Sequence, residues 1–361
     1  MNNSDLCLIV MDNCKEFGQM VDDHLKSIRK TDESFILPIE MVRFSDGEGK
    51  VKLLSSIRGK DVYIISDTHN YSTSFKMYGT THLMSPDEHF QDIKRTILAM
   101  MGHANKISVV MPFLYESRQH RRKSRESLDC ALALQELEAL GVNNIITFDA
   151  HDPNVQNAIP TLSLDNFYPT NDILKVFLKN EKIDTENTLV ISPDAGAMDR
   201  ARFLADIIKV DVGLFYKRRD LSKIVNGMNP IEAHEYLGKD LEGKNAIVVD
   251  DMIASGKSLI DVAEELKKRK AKNIYFFSTF ALFTNGPEIF VNAYKDNLFN
   301  KIYSTNLTYV PKEIMESEWF VAADCSEFLA QIIDYNNSGK SISELIDKNS
   351  AVNVYKNDLL K

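Results

Sequence analysis

The sequence predicts an α/β fold of two domains, each with a mainly parallel sheet flanked by helices. Three observations carry this reading. Short apolar runs of strand length alternate with stretches whose apolar residues recur at helical spacing. Polar clusters follow the predicted strands directly, where α/β folds place their ligands. Gly59-Lys60 before the run Asp61–Ser66 echoes Gly243-Lys244 before Asn245–Asp251, and a helix and another strand follow each, which suggests an internal duplication. The length of 361 residues accommodates two domains of ordinary size.

In chain order, Leu6–Met11 reads as a strand. Cys14–Ile28 reads as a helix with Phe17, Met20, Val21 and Leu25 on one face. Val42–Glu48 is a strand running into a turn, and Gly59–Ser66 is the next strand. Asp67–Asp87 is polar and reads as a long loop, which in a compact domain is usually functional or mobile. Glu88–Gly102 is a helix, Lys106–Pro112 a strand, Ser127–Leu140 a helix and Asn144–Asp149 a strand. The second half repeats the rhythm: strand Thr188–Ser192, helix Met198–Ile208, strand Val212–Tyr216, a strand from Ala246 to Val249, a helix opened by Leu259, and strand Asn273–Ser278. Beyond Trp319–Asp324 a helix, Glu327–Tyr335, precedes a polar tail.

Composition narrows the function. There are 43 Lys and Arg against 52 Asp and Glu, a net charge of −9 that argues against general nucleic-acid or anionic-membrane binding. The N-terminal apolar run has no basic residues before it, so no signal peptide is expected, and no segment approaches a membrane span. Cys7, Cys14, Cys130 and Cys325 contain no C-x-x-C pair, which suits a reduced, cytoplasmic setting without disulfides or a zinc site.

The chain is organised around Asn245–Ser258. Asp250 and Asp251 stand at the end of an apolar strand, a loop of small residues runs from Ala254 to Ser258, and a helix follows. A strand, a tight loop and a helix N-terminus together gather free backbone N–H groups that suit a phosphate. Gly256-Lys257-Ser258 invites comparison with a Walker A loop. That motif needs glycine where Asp251 stands, and an acid beside a polyphosphate would repel it. The acidic pair makes sense if the ligand carries hydroxyls as well as a phosphate, as a ribose 5-phosphate does; an ordinary βα turn with solvated acids is the alternative.

Four more clusters follow predicted strands. Tyr115–Arg125 is rich in bases and includes Arg118 and Gln119; it reads as a polyphosphate clamp or as a solvated charge run. Phe148–Asp152 sets His151 close to two acids, a metal or phosphate candidate. Ser192–Gly196 brings Asp194 among small residues, and Tyr216–Asp220 brings Lys217, Arg218 and Arg219, either an exposed basic loop or a lid over a reacting phosphate. Each alone has an ordinary explanation, but parallel sheets put such strand ends on one side, so the clusters could converge.

The order of these motifs, from Phe-Ser-Asp-Gly-Glu at Phe44–Glu48 through Arg118-Gln119, Asp149–His151, Ser192–Gly196 and Lys217–Arg219 to Asp250–Ile253, resembles the ribose-phosphate diphosphokinase family, with the match running from about Arg43 to Thr279. The resemblance implies two tandem phosphoribosyltransferase-like domains, 1–165 on the ATP side and 166–325 holding ribose 5-phosphate, with a C-terminal helix and tail over 326–361. It implies transfer of a diphosphoryl group from ATP to the 1-hydroxyl of ribose 5-phosphate, with Mg²⁺, in a homo-oligomer of hexamer type. Phe44, Asp46 and Glu48 would be adenine-side contacts reaching ATP from a neighbouring subunit. Arg118, Gln119 and His151 would bind ATP, and His151 and Asp194 the metal. Lys217 and Arg219 would be catalytic, Asp250 and Asp251 would bind the diol, and Ala254, Ser255, Gly256, Lys257 and Ser258 the 5′-phosphate.

Three departures from the family pattern stand out. Ala254 replaces an acid after the Asp250–Ile253 motif, the Tyr/Thr/Ser-rich segment after Ser66 replaces a conventional family run, and His120 stands where an acid usually follows Gln119. Extra sequence lies at Asn226–Leu237 and at the C-terminus. The other readings are a catalytically weak regulatory paralogue and a nucleobase phosphoribosyltransferase; the ATP-side motifs oppose the second.

Overall fold

The computed structural model describes residues 5–219 and 231–348. They fall into two compact units: 5–169 with Asn306–Tyr309 and Asp324–Lys348, and 170–219 and 231–305 with Val310–Ala323.

The first unit contains strands β1 (Leu6–Val10), β2 (Ile39–Arg43), β3 (Gly49–Leu53), β4 (Asp61–Ile65), β5 (Ser74–Met77), β6 (Thr80–Leu83), β7 (Lys106–Val110), β8 (Asn144–Phe148) and β9 (Ser163–Phe167). Its helices are α1 (Lys15–Arg29), α2 (Pro86–Ala99) and α3 (Asp129–Ala139). β1, β4, β7, β8 and β9 form a wholly parallel sheet in the order β1-β4-β7-β8-β9. Its inner strands are buried along nearly their whole length, as expected when helices cover both faces. β2–β3 and β5–β6 are separate antiparallel hairpins.

The second unit contains α4 (Thr170–Asn180), β10 (Thr188–Ser192), α5 (Met198–Ile208), β11 (Asp211–Arg219), β12 (Ile231–Leu237), β13 (Asn245–Ile253), α6 (Lys257–Lys268), β14 (Ile274–Ala281), α7 (Glu288–Lys295), β15 (Lys301–Thr305), α8 (Lys312–Met315) and β16 (Phe320–Ala323). The sheet order is β12-β11-β10-β13-β14-β15-β16, parallel throughout except for β12. Side chains alternate across β13. Ala246 and Val248 join a core with α6 and α7, while Ile247 and Val249 join a second core with α4 and α5.

The chain then returns to the first unit as α9 (Ser326–Asn337) and α10 (Ile342–Lys348). α9 is held on α1 by a buried ion pair, Arg29 Nε to Asp334 Oδ1 at 2.9 Å, and Arg29 Nη2 also donates to Asn337 Oδ1 at 2.7 Å. Tyr63 donates its hydroxyl to Asn336 Oδ1 at 2.8 Å.

The duplication is written in the hydrogen bonds. Gly59 and Gly243 both have left-handed backbones, φ 72° and 75°. Gly59 N–H donates to His103 O and Gly243 N–H to Lys270 O, each at 3.0 Å. The Lys60 and Lys244 carbonyls then accept from Asn105 and Lys272, just before β7 and β14. The side chains of Asn143 and Asn300 each accept the first N–H of those strands' apolar runs, Ile107 and Ile274, at 2.8 Å. The first sheet therefore corresponds strand for strand to β10-β13-β14-β15-β16.

Four sequence expectations need correction. The supposed loop Asp67–Asp87 contains the β5–β6 hairpin, whose four-residue strands are too short to leave a clear alternating pattern. β13 continues through Asp250 and Asp251 to Ile253, so the acids lie on the strand rather than beyond it, because β14 is long enough to keep pairing with them. β11 likewise continues to Arg219, drawn out by its partner β12. The polar tail carries α10, anchored by the buried Leu345. Asp220, the 226–230 part of the extra sequence and residues 349–361 lie outside the described residues.

Candidate functional site

In the second unit, β13 delivers two adjacent carboxylates to the start of α6. Asp251 is buried, and its backbone N–H donates to Asp250 Oδ1 at 2.9 Å. Arg200, from the first turn of α5, brings Nη2 to 3.8 Å from Asp251 Oδ2. Burial holds the Asp250 carboxyl well above the usual range, and the charges of Asp251 and Asp194 push it further. Such a crowded pair gains from a ligand that donates hydroxyl hydrogens, because hydrogen bonds to the charged form offset its desolvation.

The loop that follows is fixed by its neighbours. Ala254 O accepts Thr284 N–H at 3.0 Å, and Ile253 O accepts Leu282 N–H at 2.9 Å. Gly256 is the N-cap of α6 with φ 81°, and a Cβ there would fall 2.1 Å from the Phe290 ring. Glycine is required both by the backbone and by the close approach of a buried aromatic. The start of α6 lies at the positive end of its dipole, with Leu259 and Ile260 N–H both donating to Gly256 O at 3.0 Å. Lys257 and Ser258 are exposed beside them. This arrangement can hold a dianionic phosphate next to an acceptor for a diol.

Asp194 belongs to the same neighbourhood. Its Oδ1 accepts the N–H groups of Gly196 and Ala197 at 2.9 and 3.3 Å, capping the turn before α5, and Ser192 Oγ donates to its backbone carbonyl at 2.7 Å. Lys217 and Arg219 lie on β11 opposite His234 and Ile231 of β12, with a register shift between Arg218 and Arg219. Their side chains lie outside the described residues.

In the first unit, the turns after β7 and β8 are brought together. Ser117, one residue before Arg118, is buried, and its Oγ accepts the His151 backbone N–H at 3.0 Å. His120 lies edge-on to the exposed His151 with ring centroids 5.2 Å apart, and its Nε2 is 3.5 Å from Asp152 Oδ2. Arg118 and Gln119 are exposed, as are Arg121, Arg122, Lys123 and Arg125 beyond them. Phe44, Asp46 and Glu48 sit apart, on the exposed turn of the β2–β3 hairpin. Phe44 N–H donates to Glu48 O at 2.8 Å, and Glu48 N–H to Asp46 Oδ1 at 3.1 Å.

Sequence reasoning missed Arg200, Ser117 and the position of His120. Arg200 lies in the expected helix Met198–Ile208, but nothing in the sequence marks it as facing the acidic pair. Ser117 is a small residue next to stronger charged signals; only its burial reveals that it couples the two turns.

Residues 6–141 match the family described as the N-terminal domain of ribose phosphate pyrophosphokinase, and residues 173–311 match the phosphoribosyl transferase domain. A ribose-phosphate pyrophosphokinase of Vibrio parahaemolyticus is 28% identical over 309 residues, covering 84% of this chain and 90% of that protein. A Ralstonia nicotianae protein of the same name is 30% identical over 246 residues, 68% of this chain and 70% of the relative. The crystal structure of phosphoribosylpyrophosphate synthetase from Mycobacterium smegmatis aligns with a TM-score of 0.75 at 19% identity, covering 93% of this chain and 99% of that one, a likeness of fold.

Proposed function

We infer the chemistry of these sites from one premise: the chain belongs to the ribose-phosphate pyrophosphokinase family. It is an enzyme that transfers the diphosphoryl group of ATP to the 1-hydroxyl of ribose 5-phosphate, giving 5-phosphoribosyl 1-diphosphate and AMP. The observation that carries this into the structure is the adjacent Asp250–Asp251 pair on β13, followed within five residues by the Gly256-capped start of α6. That arrangement suits a sugar with both a vicinal diol and a terminal phosphate.

Individual roles follow from chemistry. Asp250 and Asp251 accept the ribose hydroxyls, and the Ala254–Ser258 loop with its helix N-terminus holds the 5′-phosphate. The 1-hydroxyl attacks the β-phosphorus in line with the departing AMP oxygen: one O–P bond forms, the bond between the α,β-bridging oxygen and the β-phosphorus breaks, and the hydroxyl proton is released. Lys217 and Arg219 neutralise charge on the transferring group, a task of positioning and electrostatics rather than covalent catalysis. Arg118, Gln119 and His151 hold the ATP phosphates, and Phe44, Asp46 and Glu48 meet the adenine from a neighbouring subunit of a homo-oligomer.

His151 and Asp194 are the residues that would hold Mg²⁺. Hydrogen bonds from Gly196 and Ala197 N–H orient the Asp194 carboxylate through Oδ1. Among the described residues no cluster of three or more His, Cys, Asp or Glu forms a closed cage. Each donor taken by itself suits an ion that uses few protein ligands and completes its shell with substrate phosphates and water. When bound, Mg²⁺ supplies charge neutralisation at the phosphate oxygens. Among the described residues no helix is long and apolar enough to cross a membrane, and Cys7, Cys14, Cys130 and Cys325 are buried with no disulfide between them. Both features suit a cytoplasmic setting.

The test is direct. Incubation with ATP, ribose 5-phosphate and Mg²⁺ should yield AMP only when the sugar phosphate is present. Lys217→Ala should lower kcat by about 10²–10³. Absence of sugar-dependent AMP under any metal condition would refute the assignment; a Lys217→Ala enzyme with unchanged kcat would remove Lys217 from the mechanism alone.

A further inference from the structure

The β5–β6 hairpin stands against the exposed Phe44–Glu48 turn and is tied to its surroundings at base, middle and tip. Tyr78 and Gly79 close it with φ 47° and 79°, the pair of left-handed residues that a type I′ turn needs between twisted strands. At the base, Met84 N–H donates to Thr73 O at 3.0 Å; further up, opposite Phe75, His82 Nε2 meets Glu88 Oε2, in the first turn of α2, at 2.9 Å. In the middle, the Arg43 guanidinium lies over the Phe75 ring at 5.1 Å and is itself paired with Asp92 of α2. At the tip, Tyr78 N–H donates to Ser45 O at 2.8 Å. Met77 packs on Gly47 so closely that an added Cβ would fall 2.6 Å from its Sδ.

This hairpin has little core of its own. Its strands are exposed or half-buried, and Tyr78 and Leu83 are 78% and 60% exposed. A two-stranded ribbon of that kind is at best marginally stable by itself, and its contacts with α2 and with the turn supply what holds it. The reverse effect is the informative one. The Phe44–Glu48 turn projects from a two-stranded hairpin with Phe44 48% exposed. Without support its conformations would have to be restricted when a ligand binds, and that ordering subtracts from affinity. The contacts at Ser45 and Gly47 sit between the three ligand-facing side chains, at the two alternate positions the ligand does not use.

We propose that the Ser74–Leu83 hairpin is a strut that holds the Phe44–Glu48 turn in its nucleotide-binding conformation, with Met77 and Tyr78 as positioning residues for ATP. The inference rests on the reading of Phe44, Asp46 and Glu48 as ATP contacts. The strut acts on the adenine nucleotide, because the contacts named above join it to α2 and to the Phe44–Glu48 turn.

The experiment compares four variants of the full-length enzyme: Phe44→Ala, Met77→Ala, Met77→Leu, and a truncation with two glycines in place of residues 74–83. KM for ATP, KM for ribose 5-phosphate, kcat and the thermal midpoint are measured for each. Phe44→Ala should raise KM for ATP by about tenfold, and the truncation by about fivefold or more, with KM for ribose 5-phosphate held within about twofold. Met77→Ala should move KM for ATP the same way, and Met77→Leu, which keeps the packing on Gly47, should restore it. If Phe44→Ala raises KM for ATP while the truncation and Met77→Ala do not, the strut is refuted and the nucleotide reading stands. If Phe44→Ala has no effect, both fall. A truncated enzyme with both KM values raised together would show a general structural role and overturn the proposal. Should the truncation fail to fold, the Met77→Ala and Met77→Leu pair decides it.

Discussion

Asp67 and Asp251 hold equivalent positions in the two units, each eight residues beyond the left-handed glycine that turns the chain into its strand. Both are buried. Their partners differ. Asp251 lies beside Arg200, next to the open start of α6. Asp67 is closed off by the chain itself: Thr308 Oγ1 donates to both of its oxygens at 3.1 and 3.2 Å, and Tyr309 N–H to Oδ2 at 2.7 Å. The duplicated scaffold thus offers the same carboxylate twice, and in the first unit a returning segment takes the place a ligand could occupy.

Stability should therefore depend on pH through Asp67. Burial pushes its carboxyl from the ordinary 3.8 up to about 6, and the hydrogen bonds from Tyr309, His69 and Thr308 offset only part of that. Between those values the folded chain keeps a proton that the unfolded chain has lost. Stability from this group is complete below pH 4 and declines as pH rises toward 6. The decline amounts to about 3 kcal/mol at 1.36 kcal/mol per pH unit. Urea titrations of the wild type and Asp67→Asn at several pH values should show the wild-type advantage shrinking between pH 4 and 6 and constant above. An advantage that grows over that range would refute it.

The acidic pair of the acceptor site should respond asymmetrically. Asp250 is burdened by burial and by two neighbouring carboxylates, so Asp250→Asn should leave the thermal midpoint unchanged or raise it. Asp251 is buried beside Arg200, so Asp251→Asn removes a charge partner and should cost about 1–3 kcal/mol. Both should raise KM for ribose 5-phosphate by about tenfold or more while KM for ATP stays near its starting value, since each removes a charged acceptor from the diol. Equal thermal losses, or an unchanged sugar requirement, would contradict this arrangement.

The elements readable from sequence were those with strong local signals. The buried strands β1, β4, β7, β8, β10, β13 and β14 announce themselves as apolar runs, and α6 by the helical spacing of Leu259, Val262, Ala263 and Leu266. What stayed hidden depends on distant partners. β9 is a half-buried strand of mixed polarity that pairs only because β8 lies beside it. β12 depends in the same way on β11. Asp250 and Asp251 were recognisable as a pair, but Arg200 was not, because nothing near it in sequence marks which helix face meets β13. The duplication was only a Gly-Lys echo until Asn143 and Asn300 were seen to make the same hydrogen bond.

Gly256 gives the most stringent test of the phosphate loop. Replacement by alanine meets two separate penalties. Its φ of 81° is disfavoured for any residue with a Cβ, at roughly 1 kcal/mol. The new methyl would also fall 2.1 Å from Phe290 Cζ, an overlap that forces movement of a packed core at about 1–3 kcal/mol. Phe290 cannot yield easily: it is fully buried, stacked on Trp319 and edge-on to Phe283. Gly256→Ala should thus lower stability by a few kcal/mol and raise KM for ribose 5-phosphate, because the loop and the first turn of α6 shift together. The two causes separate in a double-mutant cycle. Phe290→Leu makes room at the ring but leaves φ untouched, so Gly256→Ala with Phe290→Leu should be less destabilised than the sum of the single changes. Fluorescence of Trp319, the chain's single tryptophan, reports unfolding from beside the contact. Strict additivity would mean that backbone strain alone accounts for the glycine and that the Phe290 contact does not shape the loop.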